Sequence, residues 1–152
     1  MSDLSEYVKR KLWAQFKDSS GYQVNTTGYV SKQKLNLIPG VKIIDFKDDL
    51  QKGSGNELQS KFLAVHSSSA LVVNTFGIWK RRPHTLQLYG VSGFSRISFE
   101  KKSPTGLCGT PPNLDLFAEN EEIVLGVESK LLEYLDLKRP QFSESYSRDN
   151  LP

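Results

Sequence analysis

Asn113-Leu114-Asp115-Leu116-Phe117-Ala118-Glu119-Asn120-Glu121-Glu122-Ile123-Val124-Leu125-Gly126-Val127-Glu128-Ser129-Lys130 is the stretch on which the fold turns. Leu114 and Leu116 bracket Asp115, and Ile123, Leu125 and Val127 alternate with Val124, Gly126 and Glu128. A period of two is the mark of strands whose successive side chains leave opposite faces. The spacing predicts strands near 113–118 and 122–129, and the 118–122 segment is short enough to join them as a hairpin. The apolar run over 123–127 reads as buried on both faces, which gives weight to the charge that follows it at Glu128.

Working outward, Ile97 and Phe99 alternate with Arg96, Ser98 and Glu100, which predicts a third strand near 94–101. The 103–112 segment holds the Gly and Pro of an exposed loop. Before the strands, Ala70, Val73, Phe76 and Gly77 fall on one side of a helix over 69–80 that stops ahead of Pro83, with Phe76 and Trp79 in the core. Serines at 67–69 can cap it, because a hydroxyl satisfies the free amides of a first turn. Leu4, Val8, Leu12, Trp13 and Phe16 recur at helical spacing over 2–17. The 18–31 segment reads as a loop or weak hairpin, and 41–46 as either a short strand or the entrance to a helix. The 131–135 segment is a candidate start of a further helix.

The chain has 152 residues, enough for one sizeable core and too short for two ordinary domains. Hydrophobic residues at 38% and charged residues at 24% belong to a folding chain rather than a disordered one. No apolar stretch approaches the roughly 20 residues needed to cross a bilayer. The N-terminus lacks a signal core and Cys108 stands alone, so a reducing cytoplasm is the expected location. The net charge of +3 permits a polyanionic partner without requiring one. The short basic runs at 9–11 and 80–82 are expected to be solvated faces or ends of helices.

Glu128 and Lys130 are two apart on a strand and therefore share a face. With the 113–118 strand paired as a hairpin, Asp115 lies across from them, which puts two carboxylates and an ammonium in one cluster. Mg²⁺ is usually held by one or two carboxylates plus water and phosphate oxygens, and Asp115 and Glu128 supply that count. A lysine beside such a metal suits phosphodiester hydrolysis, where it can stabilise charge on phosphorus oxygens or position water. The same spacing also describes a plain cross-strand ion pair at a strand end, worth under about 1 kcal/mol.

Gly55-Asn56-Glu57-Leu58, Lys61-Phe62, the serines at 67–69 with Ala70-Leu71, Asn74, Phe76, Phe99-Glu100, Pro104-Thr105-Gly106, Gly109-Thr110-Pro111-Pro112-Asn113-Leu114-Asp115 and Val127-Glu128-Ser129-Lys130 together resemble a bacterial family of PD-(D/E)XK, restriction-endonuclease-like proteins. The likeness runs over about 53–146, after an N-terminal extension over 1–52. It implies an α/β core with a mixed three-stranded sheet flanked by helices. It implies further that Asp115 and Glu128 bind Mg²⁺, with Mn²⁺ as the alternative, that Lys130 assists catalysis, and that Glu57 and Glu100 are supporting acids. The substrate so implied is DNA in preference to RNA. The family core continues past its Glu-x-Lys strand with a helix and another strand, whereas 131–152 shows no second strand. The C-terminal part of the core is therefore expected to be missing, and a second copy or another partner is expected where the sheet needs completing.

Two readings from other classes stay open: a nuclease-derived binding module without turnover, and an interaction protein in which the cluster is an ion pair only. His66, His84 and Cys108 lack neighbours at metal-ligand spacing, and no phosphate-cradling loop or dinucleotide fingerprint is present.

Overall fold

A computed structural model describes residues 3–53, 57–104, 106 and 111–135. Helix α1 (Asp3–Ser20) is followed by a long irregular segment. Next come a single 3-10 turn at Ile43–Asp45, the short helix α2 (Lys47–Lys52), and helix α3 (Ser68–Phe76), which tightens into a 3-10 turn at Gly77–Trp79. Three strands complete the order: β1 (Arg96–Lys102), β2 (Asn113–Glu119) and β3 (Val124–Val127). The 41–46 segment, open to two readings in the sequence, is the entrance to α2. The 131–135 segment supplies only a 3-10 turn at Glu133–Leu135.

The sheet is a meander in the order β1-β2-β3, antiparallel at both junctions, so the parallel component of a mixed sheet is absent among the described residues. Asn120 makes the β2–β3 turn. Its side-chain Oδ1 accepts the backbone N–H groups of Glu122 and Ile123, the local bonding that suits Asn to a turn. Ser67 caps α3, its hydroxyl accepting the Ala70 N–H at 3.2 Å, so capping is the role the serine run performs there.

One face of the sheet carries the core. Ile97, Phe99, Leu116 and Ala118 meet Phe46 and Leu50 of the α2 region, Phe62, and Ala70, Val72 and Val73 of α3. Phe46 stacks on Phe62 with centroids 5.5 Å apart and meets Phe99 edge-on at 6.3 Å. Phe76 and Trp79 pack against this cluster from its margin.

Two expectations are corrected. The 123–127 run is not buried on both faces. Leu125 and Val127 pack on the core, while Val124 is exposed because no described residue covers the outer face of β3, and Ile123 is exposed in the turn before it. The 80–82 run is not a simple solvated end either. Lys80 is largely buried, paired with Asp49 at 2.6 Å and donating to the Ile97 carbonyl at 2.5 Å, and Arg81 pairs with Asp45. Asp49 in turn accepts the Phe99 N–H, so this ion pair closes backbone groups on the free edge of β1 that would otherwise invite another strand. The expectations for the chain after 135, for Cys108, and for the family-like residues at 55–56 and 109–110 lie outside the described residues.

Candidate active site

The ladder sets the geometry. Phe99 pairs with Leu116 and Leu116 with Val127, and one step further along stand Glu100, Asp115 and Glu128. The pairing of β2 with β3 ends at Leu116 and Val127, so Glu128 lies just past the last residue of β3. Asp115 Oδ2 accepts the Ser129 N–H at 2.5 Å, and Ser129 Oγ donates to the Ser68 carbonyl at the start of α3. Glu133 accepts the N–H groups of Leu131 and Leu132. The 128–133 segment is therefore pinned between Asp115 and the first turn of α3 rather than left as a loose strand end.

Glu128 and Lys130 are brought together, with Nζ 3.3 Å from Oε2 and both side chains about half exposed, at 51% and 56%. Burial works against the Lys130 charge, but the bond to Glu128 and the charges of Asp115, Glu128 and Glu133 outweigh it and hold its pKa above the ordinary lysine value. Asp115 lies between this pair and the deeper acids, contributing to the electrostatics of both Lys130 and Glu100.

The deeper acids are Glu100 and Glu57, at 8% and 6% exposure. Glu57 Oε1 accepts from Lys61 at 2.7 Å and Oε2 from the Ser69 hydroxyl at 3.1 Å. The Lys61 pKa is raised by that bond and by the Glu57 charge, with Glu100 adding to it. Glu100 has a left-handed backbone, φ +49°, which costs a residue with a side chain roughly 1–2 kcal/mol. It packs so closely on Gly53 that a Cβ there would come within 2.8 Å of its own Cβ. Its carboxyl pKa is pushed up, first by burial and then by the charges of Asp115 and Glu57, with the Asn113 amide opposing. The Asn113 donor is 3.4 Å from Glu100, and its Oδ1 is buried with no partner among the described residues.

Among the described residues no three His, Cys, Asp or Glu side chains are gathered as a finished metal cage. The donor chemistry nevertheless fits a hard divalent cation. Glu100 and Asp115 are crowded enough to repel, the oxygens are of the kind Mg²⁺ prefers, and Mg²⁺ keeps several waters beside one or two carboxylates. His66 is engaged elsewhere, its Nδ1 accepting the Trp13 indole N–H at 3.2 Å.

The chain belongs to the family described as Restriction Endonuclease associating with ARP, whose model matches residues 6–150. No curated protein and no solved structure gives a significant match to the chain.

Proposed function

We propose that the chain is a metal-dependent phosphodiester hydrolase of the PD-(D/E)XK type acting on DNA, with Asp115 and Glu128 as carboxylate ligands of Mg²⁺ or Mn²⁺ and Lys130 as the cationic group at the reacting phosphate. The observation that carries this reading is the tie between Asp115 and the segment after β3: Asp115 Oδ2 accepts the Ser129 N–H, and the ion-paired Glu128 and Lys130 flank Ser129. The match to a restriction-endonuclease family supports the reaction class.

The metal, when bound, supplies Lewis acidity and a more acidic water. The chain supplies the rest. Ser129 N–H holds Asp115 Oδ2, fixing the carboxylate that faces the strand end. Lys130 stays protonated and carries a positive charge to where phosphate oxygens gain negative charge. Glu100 and Glu57 act as supporting acids behind this front. Lys61 offsets part of their repulsion through its bond to Glu57.

The test is Mg²⁺-dependent cleavage of duplex and single-stranded DNA, read beside calorimetric Mn²⁺ binding. Lys130→Ala is expected to keep metal binding and lose on the order of a hundredfold in cleavage, since it removes one electrostatic stabiliser. Glu128→Ala and Asp115→Ala are expected to lose both together. Parent-rate cleavage by Lys130→Ala would overturn the assignment.

The half-exposed Glu128–Lys130 pair favours a second reading, a nuclease-derived nucleic-acid-binding or interaction module without turnover. Metal and DNA binding with no strand scission would select it.

A further inference from the structure

Among the described residues β1 is an edge strand, and its free side is shaped unlike an ordinary edge. The Lys80–Asp49 pair occupies the Phe99 N–H and the Ile97 carbonyl, so a peptide strand finds these positions taken. Beside them runs an open groove of about 430 Å³ whose walls carry Lys52, Lys80, Arg96, Lys101 and Lys102 against the acids Asp49 and Glu100. Lys80 is spent on Asp49, which leaves four cations lining the groove together with Glu100, whose carboxyl feels the charge of Asp115.

Two of those cations are held in place. Arg96 and Lys101 stand 5.8 Å and 5.7 Å from the centroid of the Phe117 ring. Being an odd number of residues apart, they would leave opposite faces of a regular strand. Both nevertheless stand against the same Phe117 ring, and Glu100, which lies between them, has a left-handed backbone. Cation–π attraction then organises two charges that would otherwise sample many rotamers. At roughly 3.3 Å per residue β1 is about 20 Å long, enough for several consecutive phosphates.

We propose that the groove along the free edge of β1 is the track for a DNA backbone, with Lys52, Arg96, Lys101 and Lys102 meeting phosphates and Phe117 positioning Arg96 and Lys101. The track leads toward Asp115 through Glu100. This rests on the nucleic-acid part of the functional reading above, but not on turnover. Arg96 is bonded to Glu119 at 2.7 Å with its side chain 54% exposed, so a phosphate can compete for it in solvent.

The experiment is fluorescence anisotropy with the full chain and labelled DNA in a metal chelator, over a range of salt, beside a separate Mg²⁺ cleavage assay. Each lost phosphate contact on a duplex lowers the slope of log affinity against log salt by about 0.9, or about eightfold in affinity at 0.1 M salt. Lys101→Gln/Lys102→Gln is therefore expected to lower the slope by about 2 and affinity by on the order of fiftyfold. The control Lys17→Gln/Lys34→Gln removes the same charge from exposed sites elsewhere and is expected to change little. Phe117→Leu keeps the charges and the apolar bulk, so it should weaken binding severalfold at an unchanged slope. Equal losses in the control, an unchanged slope in Lys101→Gln/Lys102→Gln, tighter binding of RNA through the same lysines, or no DNA binding by the parent would each overturn the track. Binding through these lysines without cleavage would keep the track and remove the hydrolase.

Discussion

Glu100 joins a left-handed backbone, burial and two like-charged neighbours in one residue. Because its folded-state pKa lies above the ordinary carboxylate value, its ionisation opposes folding. That cost is absent at pH values below the unfolded pKa and grows as pH rises through the folded one. Glu100→Gln removes the charge and keeps the shape. It is expected to raise the urea midpoint at pH 7 relative to the parent, with the difference closing below about pH 4, where an ordinary carboxyl is protonated. A parent and variant that track each other from pH 4 to pH 8 would contradict this. Adding Mg²⁺ should narrow the gap at pH 7, since a bound cation favours the ionised carboxylate. At this scale the sequence shows some things and hides others. The spacing of Glu128 and Lys130 is local, but both lie past the end of β3, so their 3.3 Å ion pair and not strand parity joins them. Asp115 follows once a hairpin is assumed. The burial of Glu100 depends on Gly53 and on Glu57, distant in sequence, and no spacing rule reports that meeting. Only the family likeness pointed to these two acids.

Elements whose apolar residues repeat with a clear period were readable, and those without one were not. Helix α1, helix α3 and the three strands follow their patterns to within a few residues at each end. Helix α2 has six residues with Leu50 as its only buried one, too little to establish a period. The run over 123–127 was misread because an uninterrupted apolar strand has the same composition whether its outer face is covered or open. The edge of β1 illustrates another hidden feature, since the Lys80–Asp49 pair joins segments 31 residues apart. Lys80→Met keeps the stem and removes the donors. With side chains only 17% and 21% exposed, the lost pair leaves Asp49 poorly solvated and the Ile97 carbonyl open. The expected loss is about 2 kcal/mol by urea denaturation, below the cost for a fully buried pair because some water still reaches the site. Unblocking an edge strand should also lower the concentration at which the protein aggregates, measured by light scattering. In the core beneath, Leu50→Ala should cost about 2–5 kcal/mol, because Leu50 has no exposure through which the cavity can refill.

For the molecule as a whole, a polar and aromatic contact joins α1 to the 28–30 and 64–66 segments. Trp13 lies over Gly28, where a Cβ would fall 2.0 Å from the indole nitrogen, and donates that N–H to His66. Tyr29 meets the His66 ring edge-on at 6.1 Å, and its own segment bridges to Ala64. For Nδ1 to accept, His66 must be neutral with its proton on Nε2. Burial keeps it so, and Lys9 adds to the effect while Glu6 opposes it, leaving the imidazole pKa below its ordinary value. A depressed histidine pKa stabilises the folded state fully above the unfolded value, about 6.5, and that contribution is lost as pH falls through the folded one. Protonation also turns the acceptor into a donor facing the indole N–H, so a contact that docks α1 is lost. Acidification below the ordinary histidine pKa is therefore expected to speed amide hydrogen exchange, corrected for its intrinsic pH dependence, in α1 and at 28–30 before the sheet is affected. His66→Asn offers a neutral acceptor that does not titrate, and should flatten this pH dependence while keeping α1 docked at pH 7. Trp13→Phe removes the donor and should speed exchange in α1 at every pH. Exchange in α1 that rises on acidification equally in the parent and in His66→Asn would show that another group controls the docking.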